Sequence, residues 1–318
     1  MNRMDVGVFL AVEPHLRTAA EDYSEFLDLA QQCEELGYRS VWLASRHFSP
    51  AYAADPSPLM LLAAAAARTR TLELGTSVVS LPLENRFRLA EDFATLDALS
   101  YGRGRLGVGS GDDAPAFAAM GVPFDERAGM MSSILPELLE VLTGKDLGGV
   151  RLYPEIDRPL SKVGMGAQSA RGATWAASQG IGLLQGRAEP NSLDPTVSQV
   201  RAARAYREVL PTGRVVTARN AWIGTPEDPD LLEALGRYDT YLKSRGKESL
   251  PRKPKDALAK LNILTGADPH SLAGEITARV SAIEPDELLI TVDPGGMEAS
   301  ERQKRLTLLA EAFGLRGP

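Results

Sequence analysis

A chain of 318 residues is either two average domains or one α/β barrel, and its 44% hydrophobic and 24% charged residues exclude disorder, collagen-like repeats and a disulfide scaffold. The net charge of −7, with its acidic excess in the first half, excludes a nucleic-acid-binding protein, and one cysteine with three histidines excludes an internal disulfide and a zinc-like Cys/His cluster. No apolar run approaches the roughly 20 residues that cross a bilayer, and MNRMDVGVFL has no apolar stretch ahead of a small-residue cleavage site; the expectation is a soluble cytoplasmic protein with no membrane or nucleic-acid partner and no metal.

Along the chain a short apolar run and an amphipathic helix alternate. The first strand is Val6 to Leu10. Thr18 and Glu21 form a capping box for a helix that carries Phe26, Ala30, Cys33 and Leu36 at helical spacing and stops at Gly37. A second strand, Ser40 to Leu43, precedes a helix opened by Ser57-Pro58, and Leu72 to Leu81 is a longer β-branched run. Helix Phe87 to Leu99, strand Arg105 to Gly109 and helix Arg127 to Leu142 repeat the unit. Later strands are read at Lys162 to Gly166, Gly182 to Gln185, Arg214 to Ile223 and Glu287 to Val292, with helices around Thr174, Val200, Leu232, Ile276 and Leu308.

Strands joined through helices make a parallel sheet, and eight such units match a (β/α)8 TIM barrel, here read as one domain over residues 1–318. A doubly wound open sheet is the alternative; its G-x-G-x-x-G fingerprint is absent after the first strand. The alternation lapses at 225–268, after strand 7, where Pro226, Pro229, Gly246, Pro251 and Pro254 cluster. This segment reads as a helix plus a mobile, irregular lid above the barrel mouth. Its basic run, Lys243, Arg245, Lys247, Arg252, Lys253 and Lys255, reads as a solvated loop.

Barrel chemistry sits at the C-terminal strand ends. There the sequence places Ser45, Arg46 and His47 after strand 2, Glu84 and Asn85 beyond strand 3, Ser110, Asp112 and Asp113 after strand 4, and Gln168, Ser169, Arg171 and Gly172 after strand 5. His47 suits a general acid or base, with Arg46 holding an anion; a packed histidine satisfying loop carbonyls is the competing reading. His15 follows the first strand, and His270 is expected to cap a late helix. The turn from Gly164 to Gly172 offers free amides at a helix N-terminus, suited to phosphate.

Gly37-Tyr38-Arg39-Ser40-Val41-Trp42-Leu43, Arg46-His47-Phe48, Leu74-Gly75-Thr76-Ser77, Leu81-Pro82, Leu89-Ala90-Glu91-Asp92, Leu96-Asp97 and Ser100-x-Gly102-Arg103, leading to Gly107-Val108-Gly109-Ser110-Gly111, stand in an order and spacing that resembles the bacterial luciferase-like flavin-dependent monooxygenases. Gln168-Ser169 followed by Trp175-Ala176-Ala177 is similar to that family's phosphate loop. The resemblance implies a barrel that holds FMN, or in one branch a deazaflavin, over its mouth. It implies a non-proline cis peptide at Ser77–Val78 beneath the flavin ring, and a cofactor shell of Ser77, Val78, Ser110, Gly111, Gln168, Ser169, Arg171 and Gly172. Two departures stand out. Ser45 replaces the family's usual glutamate, with Arg46 aligned to luciferase's histidine, and Ser110 replaces an arginine that grips phosphate, a charge Arg171 could supply.

The expected function is therefore a monooxygenase that oxidises a small organic substrate with reduced FMN and molecular oxygen, served by a separate flavin reductase, with Arg46 and His47 as catalytic residues. The alternatives are hydride transfer through a deazaflavin, and a non-catalytic flavin-binding or partner subunit. A homodimer built on the first three helices is expected, with the alanines of Leu61 to Ala67 allowing close packing.

Overall fold

The computed structural model describes residues 4–12, 18–48, 55–186, 195–292 and 297–318. Its strands are β1 (Asp5–Phe9), β2 (Ser40–Leu43), β3 (Glu73–Thr76), β4 (Val79–Ser80), β5 (Gly104–Gly109), β6 (Val163–Gly166), β7 (Gly182–Gln185), β8 (Val215–Ile223), β9 (Ile263–Gly266) and β10 (Glu287–Thr291). The hydrogen-bonded order runs β10-β1-β2-β3-β5-β6-β7-β8, and β10 also pairs with β8, so the sheet closes on itself. With β3 and β4 forming one interrupted stave, this is a closed eight-stave parallel barrel wrapped by helices, a TIM barrel. An open doubly wound sheet would keep two free edges, which the β10–β8 pairing removes.

Each stave is buried on both faces, which is why the strands read as short apolar runs. Val8, Val41, Leu74, Leu106 and Leu288 pack outward under the helices. Phe9, Trp42, Leu184, Val216, Ala218 and Leu289 form a separate cluster inside the cylinder. The capping box holds as read: Thr18 Oγ1 accepts from the Glu21 amide at 3.4 Å, and the Glu21 carboxylate accepts from the Thr18 amide at 2.9 Å. Asn85 caps helix Arg86–Leu99 by accepting from the amides of Phe87 and Arg88, so it serves the helix rather than the mouth.

The N-terminal end of the barrel is plugged by charge. Glu73, the first residue of β3, lies between Arg105 at 2.6 Å and Arg214 at 2.9 Å, and Arg214 also reaches Glu287, the first residue of β10, at 2.8 Å. Burial pushes the Glu73 carboxyl up, but Arg214, Arg105 and Arg39 together hold it below its ordinary value. This end stabilises the barrel, and the opposite end is left for chemistry.

The segment 225–268 contains more structure than the sequence reading expected. It holds helices Pro229–Ser244 and Pro254–Leu261, then β9, which continues the sheet beside the C-terminal half of β8 through Asn220↔Ile263 to Ile223↔Gly266. The physical reason is a satellite apolar cluster, in which Trp222, Leu231 and Leu235 pack with Ala257, Leu258 and Ile263. Pro254, read as a breaker, sits in the first turn of its helix, where its missing N–H costs nothing.

Candidate active site at the barrel mouth

The floor of the mouth is built where β3 gives way to β4. The pairing shifts from Leu74↔Gly104 to Val79↔Val108, so the β3–β4 stave carries one residue more than β5 across the same span. This is a bulge, and the Ser77–Val78 peptide inside it is cis, where the resemblance placed it. The gap is stitched rather than open. Thr76 Oγ1 donates to the Gly107 carbonyl and accepts from its amide, both at 2.9 Å, while the Ser77 amide donates to Leu43 O and the Ser45 amide to Val78 O at 3.2 Å.

Above this floor the wall is cleared of side chains on three staves. A Cβ on Gly107 would lie 2.0 Å from Thr76 O, one on Gly109 would lie 2.6 Å from Val78 Cγ2, and one on Gly186 2.7 Å from Gln168 Nε2. At Gly166 the nearest atom, Val78 Cγ1, is 3.5 Å away. Backbone rather than side chain therefore faces the lumen from β5, β6 and the end of β7, with Val78 and Ala44 on the apolar cluster below.

The opposite rim is charged. Arg46 Nη1 donates to Asp112 Oδ1 at 3.1 Å, and Lys247 Nζ donates to Asp112 Oδ2 at 3.0 Å. Arg245 donates to Asp113 Oδ1 at 3.3 Å and to the Phe48 carbonyl at 3.1 Å. The buried Tyr241 ring lies between the two guanidiniums, 6.0 Å from Arg46 and 5.8 Å from Arg245. At the exposed Asp112 carboxyl the charges of Arg46 and Lys247 outweigh the partial desolvation that opposes them and hold the group below its ordinary value. His47 is half-buried. Desolvation lowers its pKa against the opposing charge of Asp113, which keeps the ring neutral near pH 7, and its Nε2 lies 3.1 Å from Ser45 Oγ.

Behind the rim Asp55 is fully buried. One carboxylate oxygen accepts from the Val12 amide at 3.2 Å, the other has no partner among the described residues, and its own carbonyl accepts from the Arg46 amide at 3.0 Å. Burial pushes this carboxyl up to about 8, against the Val12 hydrogen bond and the charges of Arg46 and Arg302.

The residues after β6 form the start of helix Ala170–Ser178. Ser169 caps it by accepting from the Gly172 amide at 3.2 Å, and the amides of Ala170 and Arg171 precede the first intrahelical bond. Gln168 carries a buried Oε1 with no partner among the described residues, and the Arg171 side chain is exposed. On β5's side Ser110 leads into Gly111 at φ +82°, whose backbone passes so close to Ser80 and Phe117 that a Cβ would sit 2.9 Å from Ser80 Oγ.

The sequence-derived catalytic and cofactor residues thus lie at the C-terminal ends of β2, β3–β4, β5 and β6, four neighbouring staves. The rim contacts of Tyr241, Arg245 and Lys247, and the burial of Asp55, escaped the sequence reading. Their signal was the unpaired acidic couple Asp112-Asp113, which required cations from elsewhere in the chain. Arg245 and Lys247 consequently belong to the mouth, not to a solvated loop. His270 is the second residue of helix Pro269–Val280, but Asp268 is its cap, accepting from the Ser271 amide at 2.8 Å. His15 and most of the loop from Phe48 to Asp55 lie outside the described residues. Among the described residues no group of three His, Cys, Asp or Glu side chains could hold a metal ion, and no helix is long and apolar enough to cross a membrane.

With this geometry in place, comparison with known proteins finds the luciferase-like monooxygenase family matching residues 4–258. The chain belongs to that family. A 4-hydroxyprotoasukamycin monooxygenase from Streptomyces nodosus subsp. asukaensis is 34% identical over 148 residues, 46% of this chain and 39% of that protein. An F420-dependent glucose-6-phosphate dehydrogenase from Kineococcus radiotolerans is 41% identical over 116 residues, 35% of this chain and 34% of that protein. Among solved structures, monooxygenase RslO1 from Streptomyces bottropensis matches with a TM-score of 0.82 at 24% identity, over 97% of this chain and 98% of that one. The first curated relatives are matched over only 39% to 56% of their own length. The proteins this chain resembles thus include both a monooxygenase and an F420-dependent dehydrogenase.

Proposed function

We propose that this luciferase-like protein is a monooxygenase that uses reduced FMN, delivered by a separate flavin reductase, and molecular oxygen to oxidise a small organic substrate. The observation that carries this reading is the cleared wall over the Ser77–Val78 bulge. A planar ring needs a flat apolar floor and a wall without side chains, and Val78, Ala44, Gly107, Gly109 and Gly166 supply both. The phosphate requirement fits as well. Free amides at Ala170 and Arg171, the Arg171 cation, Ser110 and the Gln168–Gly172 turn would hold it, and no carboxylate lies in that turn. Bound reduced flavin supplies the electrons that activate oxygen.

The chain's own part is binding, orientation and proton control. The apolar floor excludes water from the reacting centre. His47, kept neutral by burial, holds or moves a proton at a ring nitrogen, and Arg46 favours an anion at the mouth while sharing its charge with Asp112. The functional unit is a homodimer through the first three helices.

The test is to titrate the purified protein with FMN and with a deazaflavin, oxidised and reduced, and to follow oxygen uptake with reduced FMN. We expect FMN binding and substrate-stimulated oxygen uptake without accessory subunits. His47→Ala and Arg46→Ala should each lower turnover by roughly a hundredfold with flavin affinity retained. Retained turnover in both variants would remove those two roles, and oxygen uptake that needs a second subunit would leave the non-catalytic reading. The identity to an F420-dependent dehydrogenase favours a second reading, hydride transfer through a deazaflavin, which selective deazaflavin binding would establish.

A further inference from the structure

Ser45 is the residue at which this chain departs from the glutamate expected by resemblance, and it is 8% exposed. It touches both halves of the mouth. Its amide donates to the carbonyl of Val78 in the bulge, and its hydroxyl lies 3.1 Å from Nε2 of His47. The hydroxyl has no other partner among the described residues, and neither has the second ring nitrogen of His47.

A hydroxyl carries one donor and two acceptor sites, and a buried donor left unmade is costly. If His47 Nε2 carried the proton and donated to Ser45 Oγ, the serine hydrogen would be buried with nothing to accept it. The same orphan would arise if the ring were doubly protonated. One donor is left over in either neutral tautomer, and it costs less on the half-buried imidazole than on the buried hydroxyl, so Ser45 donates to a bare Nε2 and the ring proton sits on Nδ1. The charged groups around the ring are Asp113 from the β5 loop, Arg46 beside it in sequence, and Arg245, which bonds to both Asp113 and Phe48 O; the Phe48 ring lies 6.3 Å away. None of these donates to Nε2 in place of Ser45.

We propose that Ser45 is a positioning residue that locks His47 as its Nδ1–H tautomer, so that His47 meets the bound substrate as a hydrogen-bond donor and not as a base. The donor role rests on the proposed function; the tautomer does not. With histidine labelled by 15N, the three histidines of the apoprotein give few resonances, and His47→Gln assigns the one in question. At neutral pH the wild-type ring should read as the Nδ1–H tautomer. In Ser45→Ala it should revert to Nε2–H, which a solvated neutral imidazole favours, and Ser45→Thr should restore Nδ1–H. A wild-type ring protonated on Nε2, or an Nδ1–H tautomer that persists in Ser45→Ala, overturns the proposal. The wild-type and Ser45→Thr spectra decide it even if Ser45→Ala folds poorly. In turnover, Ser45→Ala should lose at least tenfold in kcat at unchanged KM and cofactor affinity, with recovery in Ser45→Thr. If no turnover is found with any flavin, the functional reading fails while the spectra still judge the tautomer.

Discussion

Gly109 and Val78 compete for one volume, because a Cβ on the glycine would lie 2.6 Å from Val78 Cγ2. Gly109→Ala should therefore destabilise the protein by about 1–3 kcal/mol, as overpacked cores do, and Val78→Ala in the same chain should recover most of that loss. Urea unfolding of the two single variants and the double measures the coupling, and strictly additive losses would show that the two residues do not share space. Gly166→Ala, with 3.5 Å to its neighbour, should be near neutral for folding yet still narrow the mouth. A second residue governs pH dependence. The Asp55 carboxyl titrates at about 8 in the fold, against about 3.9 in an unfolded chain. Between those values the unfolded chain has released the proton that the folded protein keeps. This group's contribution is therefore complete below about pH 4 and is lost as pH rises towards about 8. Asp55→Asn should flatten the fall in Tm between about pH 5 and about pH 8, and parallel curves would refute the assignment. Arg46 and His47 were legible because any residue just past a barrel strand points at the mouth. Asp55 was not, because its hydrogen-bond partner is Val12, 43 residues away, and burial leaves no mark on an isolated aspartate.

At the scale of elements the basic turn after helix Pro229–Ser244 settles onto the acidic pair after β5, with two contacts of unequal worth. Arg245 and Asp113 are 9% and 10% exposed, whereas Lys247 and Asp112 are 34% and 68% exposed. Breaking a buried pair strands a charge, so Arg245→Ala should cost about 3 kcal/mol. Lys247→Ala should cost at most about 1 kcal/mol, and less at high salt. Comparable losses in chemical unfolding would mean the two pairs are equally screened. The sequence showed six cations in this stretch but not which of them face an acid. That depends on how the helix angles its end over the mouth, across 132 residues of separation for Arg245 and Asp113. Helix Pro254–Leu261 was missed for a related reason. Proline signals an end or a beginning equally well, and only the packing of Ala257 and Leu258 against Trp222 and its neighbours makes it a beginning.

At the scale of the molecule the alternation of apolar run and helix was enough to give the barrel, since eight parallel strands with both faces covered have few other ways to bury their surfaces. What periodicity could not reveal was β9, four residues long and outside the cylinder, and the split of the third stave into β3 and β4. Both depend on local pairing register and not on composition. Closure itself has a temporal side. Asp5 pairs with Glu287 and Val8 with Ile290, so one edge of β1 waits, through nearly 280 residues of synthesis, for β10 to shelter it. Until then β1 and β8 present unpaired edges to every other nascent chain nearby. A premature stop between β9 and β10 would therefore spare every mouth residue named above while leaving an open, sticky sheet, a product for quality control to remove and not a weak enzyme.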